Sequence, residues 1–284
     1  MGGTKTAGVL LDPAGNIQAR ERIPTEARKG YARILENVAA VYESLASAAR
    51  KSPHGVGICT PGAIARDGTQ ITGNPPCLNG KAFKQDLEQR IGRSVAVEND
   101  ANCFALAEAI RGAARGKDLV FGATIGTGCG GGIVFKGQLL SGSQGRAGEW
   151  GHMTLDPKGP RCSCGKRGCV QALISGSGVK KRYEAAFGRE GRMQDIEKDY
   201  RRGEPATVAF LGEFFRNFGM AMANVVAVLD PDIIVLGGGV SNIEALYTEG
   251  LQALRDGLVP YAKAPPLVRS ELGDAAGAIG AALL

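Results

Sequence analysis

Leu119-Val120-Phe121-Gly122-Ala123-Thr124-Ile125-Gly126-Thr127-Gly128-Cys129-Gly130-Gly131-Gly132-Ile133-Val134-Phe135 is the stretch that decides the fold. Leu119 to Ile125 and Gly131 to Phe135 read as strands on either side of a glycine-rich turn. Two more glycine clusters sit beside strands: Gly2-Gly3-Thr4-Lys5, and Gly237-Gly238-Gly239 directly after Ile233-Ile234-Val235-Leu236. Backbone N–H groups free of Cβ, with a threonine hydroxyl added, suit the cradling of phosphates. None of the three has the P-loop spacing, because no Gly-Lys-Ser/Thr follows four variable residues. None is a spaced dinucleotide fingerprint either.

Outward from these turns, strands and helices alternate. Val9-Leu10-Leu11 and Ile17 to Ile23 flank Asp12-Pro13-Ala14-Gly15-Asn16, predicting an antiparallel pair. Tyr31 to Ala49 places Ile34, Leu35, Val38, Val41, Tyr42 and Leu45 at helical spacing. Val56 to Cys59 and Val95 to Val97 read as short strands, and Phe83 to Ile91 and Asn102 to Ala114 as helices. Lys136-Gly137 reads as a hairpin corner leading to Gln138-Leu139-Leu140, and 141–170 as a long loop. Ala206 to Leu229 and Ile243 to Leu254 read as helices around the strand Ile233 to Leu236. The alternation predicts an α/β protein with mixed sheets.

Composition agrees with a folded globular chain. Its 284 residues are 44% hydrophobic and 22% charged, and its 43 glycines show no strict period. The net charge of +6 comes with only two short basic runs, Lys180-Lys181-Arg182 and Arg201-Arg202, neither interleaved with aromatics. A single-strand nucleic-acid binder needs that interleaving. The N-terminus has no apolar signal-peptide core and no run long enough to span a bilayer, so a cytoplasmic setting is expected. Clustered cysteines in such a setting point to a metal rather than to bridges.

Two local patterns carry chemistry. Asn99-Asp100-Ala101-Asn102 lies at a strand-to-helix junction. An Asp there serves either as a helix cap or as a carboxylate at the strand end, where open α/β sheets place ligands. Cys162, Cys164 and Cys169 lie within eight residues, and His152 stands ten residues ahead of Cys162. Three thiols and an imidazole suit tetrahedral Zn²⁺, and the imidazole favours zinc over an iron–sulfur site. Four protein ligands close such a site, so its expected role is structural.

The glycine turns resemble those of the sugar kinase/actin-like ATPase (RNase H-like) fold, a two-domain α/β architecture with an interdomain cleft. The chain is further identified as a member of the ROK family (repressors, open reading frames and kinases) on Gly2 to Thr6, Pro61-Gly62, Asn99 to Cys103, Gly126-Thr127-Gly128, Gly148-Glu149-Trp150-Gly151-His152, the Cys162 to Cys169 loop, and Asp230-Pro231-Asp232 with Leu236 to Gly239. The resemblance implies a smaller domain at 1–116 plus 270–284 and a larger one at 117–269 holding the zinc loop. It implies an ATP-dependent kinase acting on a hexose 6-hydroxyl, with Asp100 as catalytic base. Asn74, Asn99, Asp100, Glu149, His152 and Gln171 are then expected to hold the sugar. Gly3, Thr4, Lys5, Gly126, Thr127, Gly128, Gly237, Gly238 and Gly239 are expected to hold ATP with Mg²⁺. His152, Cys162, Cys164 and Cys169 are expected to hold Zn²⁺. The family also implies a homodimer.

Leu78-Asn79-Gly80 and Trp150 look most like bacterial fructokinases, so fructose is the first expectation for the sugar. Asn102 to Leu106 and Gly130 to Gly132 equally resemble N-acetylglucosamine kinases; glucokinase is a further alternative. Two features depart from the family. Its opening strand ends in Asp-x-Gly-Gly-Thr-Lys, whereas Met1 stands before Gly2-Gly3 here; a start set too late is the expectation. The family's sugar-binding Glu is Gln171, which predicts a raised sugar KM that Gln171→Glu restores. Repressor members carry a helix-turn-helix ahead of the Gly-Gly-Thr motif, so a kinase is expected over a repressor. A sugar binder without catalysis is the third reading.

Overall fold

The computed structural model describes residues 1–49, 53–65 and 67–284. By contacts the chain forms two compact units: Met1–Ala107 with Leu139–Ala147 and Asp274–Leu284, and Glu108–Gln138 with Gly148–Gly273.

In the first unit β1 (Lys5–Leu11) and β2 (Ile17–Pro24) pair antiparallel, from Lys5 against Pro24 to Leu11 against Ile17. Asp12 closes their turn by accepting from the Asn16 backbone N–H and side chain. Helix α1 (Tyr31–Ala48) follows and buries Ile34, Val38, Ala39 and Val41, the stripe that its apolar spacing predicts. β3 (Gly57–Thr60), α2 (Phe83–Ile91), β4 (Ala96–Asn99) and α3 (Asp100–Arg111) come next, with β3 and β4 parallel. Gly92 ends α2 in the left-handed region at φ 68°, which a side chain would strain. Ile34, Val38, Leu78, Phe83, Leu87 and Val95 form one core of this unit. Burying each large apolar side chain contributes about 1.5–3 kcal/mol. Among the described residues no ladder joins the β1–β2 pair to the β3–β4 pair. A mostly apolar, partly open pocket lies between them, lined by β1, β3 and Val38, Leu45 and Ala281.

In the second unit β5 (Leu119–Ile125) and β6 (Cys129–Phe135) form the antiparallel hairpin read from the sequence, with β6 starting at Cys129 rather than at Gly131. Lys136 (φ 49°) and Gly137 (φ 76°) turn the chain into β7 (Gln138–Leu139). Four helices then precede the next strand: α4 (Val170–Ile174), α5 (Gly176–Phe187), α6 (Met193–Arg201) and α7 (Pro205–Leu229). β8 (Ile233–Gly237) lies parallel to β5, and β9 (Leu267–Arg269) parallel to β8, giving the order β7-β6-β5-β8-β9. The long α7 buries Phe210, Leu211, Phe214, Phe218, Met222 and Val226 along one face. It packs on α8 (Glu249–Gly257) so closely that a Cβ on Gly219 would stand 2.3 Å from the Ala253 backbone.

The helix expected at Ile243 to Leu254 starts only at Glu249, as α8, and its first part is the 3-10 turn Glu244–Leu246, which follows another at Gly239–Asn242. Tyr247 breaks the run: its hydroxyl donates to the Ser241 carbonyl at 2.8 Å, and the Arg269 guanidinium stacks over its ring. The chain ends in α9 (Ala276–Ala282), which returns to the first unit beside β3. Its Gly280 lies where a Cβ would be 1.8 Å from the Cys103 carbonyl.

Candidate active site

The first unit presents a carboxylate at a helix start. β4 ends at Asn99, and Asn99 caps α3: its Oδ1 accepts from the Ala101 N–H at 2.8 Å and the Asn102 N–H at 3.3 Å. Its Nδ2 donates to the Gly62 carbonyl at 2.9 Å, so both ends of the amide are fixed. The cap role that an Asp could fill is thus taken by the preceding residue, and Asp100 gives only one oxygen, to the Ala101 N–H at 2.9 Å. Asp100 keeps solvent-facing surface, yet the protein crowded around it disfavours the ionised form. Burial, with a smaller effect of the neighbouring Cys59 sulfur, pushes its pKa up to about 6. The open surface lets a proton exchange, while the crowding sets where it titrates.

Facing elements of the same unit are tightly built. Gly62 has φ 99°, and a Cβ there would lie 2.1 Å from the Thr72 carbonyl, so only glycine fits after Pro61. Gly3 lies against Asn74, whose carbonyl and Oδ1 would be 3.6 and 3.9 Å from a Cβ. The fully buried Gln70 holds this loop: its Oε1 accepts from Thr60 Oγ1 at 2.8 Å and its Nε2 donates to the Thr72 carbonyl at 2.6 Å. Nothing in the sequence singled out Gln70, because a lone glutamine has no pattern. Lys5 pairs with Asp274 at 2.8 Å, and Thr4 is exposed.

In the second unit the glycine turns meet. A Cβ on Gly238, at φ 85°, would stand 2.5 Å from the Ile125 carbonyl and 3.0 Å from the Gly126 nitrogen. Gly126 N–H closes its own turn onto the Gly128 carbonyl at 2.9 Å, leaving Thr127 exposed at the tip. Gly131 serves another purpose than phosphate cradling: a Cβ there would lie 2.6 Å from Trp150 Cδ1. Trp150 Nε1 donates to the Gly130 carbonyl at 2.7 Å, and its ring meets Phe121 edge-on. These contacts seat the Gly148 to His152 segment on β6 and leave Glu149 exposed, with its Oε2 3.8 Å from His152 Nε2.

The opposite ring nitrogen of His152 faces the cysteines. Nδ1 lies 3.7 Å from Cys162 Sγ, and Cys164 Sγ lies 3.7 Å from Cys169 Sγ. All four ligand atoms fall within 4.8 Å of one another. A tetrahedron with bonds of about 2.3 Å has edges of about 3.8 Å, so the set fits zinc. The loop is shaped by Gly168, at φ 59°, where a Cβ would overlap the Asp156 carbonyl. Gln171 follows two residues after Cys169. Its Oε1 accepts from the Cys129 N–H at 3.2 Å and its Nε2 donates to Ser163 Oγ at 3.1 Å.

The ROK family profile matches residues 1–284. The chain belongs to the ROK family. It is 36% identical over 298 residues to an N-acetyl-D-glucosamine kinase of Vibrio atlanticus, covering 100% of the chain and 97% of that relative. Among solved structures, the ROK hexokinase from Thermus thermophilus matches with a TM-score of 0.92 at 36% identity, covering 100% of this chain and 95% of that one. A ROK glucokinase from Streptomyces griseus, in complex with glucose and AMPPNP, matches with a TM-score of 0.81 at 30% identity, covering 99% and 96%. This ROK chain therefore has the two-domain α/β fold of the sugar kinase/actin-like ATPase class. Among the described residues no helix is long and apolar enough to cross a membrane.

Proposed function

We propose that the chain transfers the γ-phosphoryl group of ATP to the 6-hydroxyl of N-acetylglucosamine. The observation that carries the reading is the place of Asp100, an exposed carboxylate at the end of β4 where Asn99 supplies most of the cap; its surroundings raise its pKa to about 6. A general base works best with a pKa near the operating pH. The choice of sugar follows the relatives, which are N-acetylglucosamine kinases; they favour that sugar over the fructose suggested by Leu78-Asn79-Gly80.

The 6-hydroxyl oxygen forms a bond to the γ-phosphorus, its proton passes to an Asp100 oxygen, and the bond from the γ-phosphorus to the bridging oxygen breaks to leave ADP. Asn74, Asn99 and Asp100 in the first unit, and Glu149, His152 and Gln171 in the second, are assigned to the hexose. The turn at Gly126, Thr127 and Gly128, with Gly237, Gly238 and Gly239 beside it, is assigned to the nucleotide, as are Gly3, Thr4 and Lys5. Backbone amides and hydroxyls there stabilise the charge of the transferring group. Mg²⁺ bound with ATP would supply neutralisation of the phosphate charge. Zn²⁺ on Cys162, Cys164, Cys169 and His152 Nδ1 would fix the loop and leave His152 Nε2–H to donate to a sugar hydroxyl. A homodimer in the cytoplasm belongs to the same reading.

A coupled ADP-release assay with N-acetylglucosamine, N-acetylmannosamine, glucose, mannose and fructose tests it. The highest kcat/KM is expected for N-acetylglucosamine. A tenfold preference for fructose would overturn the choice of sugar, and no turnover with any hexose would remove the kinase reading.

A further inference from the structure

Gln171 is bonded at both ends of its amide, and the two ends lie on functionally different segments. A backbone N–H can only donate, so the atom facing Cys129 is the oxygen and the amide nitrogen faces Ser163. Cys129 is the first residue after the Gly126 to Gly128 turn, and Ser163 stands between the ligands Cys162 and Cys164. The peptide around Gln171 repeats the connection. It starts at Cys169, a buried member of the cluster and the residue before α4. It ends at the start of α5, where the Gly176 N–H donates to the Gly126 carbonyl at 2.8 Å and Ser177 Oγ donates to the Thr127 carbonyl at 2.6 Å. A small open pocket lined by Arg161, Ser163, Gln171, Ser177 and Lys181 lies alongside. Hydrogen bonds join the two segments on this side.

We infer that Gln171 is a positioning residue that couples the metal cluster to the nucleotide turn. Its amide holds Ser163 at one end and the start of β6 at the other, so the cluster geometry and the pose of Thr127 are set together. The inference rests on the reading of the 126–128 turn as a nucleotide site and adds a dependence of that turn on the metal loop. Methionine matches Gln171 in length and removes both bonds. Partners of this kind outside the ligand set typically change metal affinity or activity by about 10–100-fold.

The test uses the zinc-loaded full chain, its Gln171→Met and Ser163→Ala variants, and the double variant. Two readouts need no turnover: release of zinc to a chromophoric chelator, and calorimetric binding of AMPPNP with Mg²⁺. Gln171→Met is expected to speed zinc release and to weaken AMPPNP binding, each by about tenfold. Ser163→Ala, which changes only the metal side, is expected to weaken AMPPNP binding too, and to add little in the Gln171→Met background. Far-UV circular dichroism confirms that each variant is folded. Unchanged AMPPNP affinity in folded Gln171→Met and Ser163→Ala would overturn the coupling. Absence of AMPPNP binding by the parent would instead count against the nucleotide site itself.

Discussion

At the scale of single residues the site turns on which side chain caps α3. Asn99 Oδ1 accepts from the Ala101 and Asn102 N–H groups, Asp100 shares only the first of them, and its carboxyl is raised to about 6. The proton-accepting form is lost as pH falls through that value, so kcat/KM is expected to drop tenfold per pH unit below about 6. A pH–rate profile whose acid limb lies near 4, the ordinary carboxylate range, would contradict the crowded environment. The sign for stability is opposite. The folded pKa lies above the unfolded value of 3.8, so the ionised group destabilises the fold above about pH 6, and that cost is relieved as pH falls toward 3.8. Gln70 is the residue whose importance only the structure reveals. Gln70→Leu would leave the buried Thr60 hydroxyl and the Thr72 carbonyl without their partner. A loss of about 1–3 kcal/mol in chemical denaturation is expected, together with a raised hexose KM, because the same loop carries Asn74.

At the scale of elements, most of the fold was legible because apolar spacing and glycine punctuation agreed. The β1–β2 hairpin, α1, α2 and the β5–β6 hairpin fall where the sequence places them. Only the first half of the Ile243 to Leu254 helix is missing, because Tyr247 and Arg269 impose a tertiary lock that periodicity does not encode. Helices α5 and α6 left a weak signal, since Val179 and Tyr183 in one and Ile196 in the other are their main buried apolar residues. The Cys and His spacing was legible, but the reason for Gly131 was not: it makes room for the indole of Trp150, nineteen residues later in the chain. Gly131→Ala is therefore expected to cost about 1–3 kcal/mol through overpacking and to loosen the segment that carries Glu149 and His152. Thermal denaturation and zinc retention on gel filtration check this; a variant equal to the parent in both would show that Trp150 gives way without consequence.

At the scale of the whole molecule the Cys–His cluster ties stability to bound zinc. Zinc bound to the folded chain and not to the unfolded one raises stability by mass action. Dialysis against a strong chelator is thus expected to lower Tm, and restored zinc to return it; a Tm indifferent to chelation would remove the structural role of the cluster. The most direct measurement is ADP release by the parent and by Asp100→Asn, with saturating ATP, Mg²⁺ and N-acetylglucosamine at pH 7.5. A fall in kcat of at least about a hundredfold is expected, with a Tm equal to or above the parent's because the costly charge is gone. An Asp100→Asn enzyme that keeps kcat within about threefold of the parent's would contradict the assignment of Asp100 as the base.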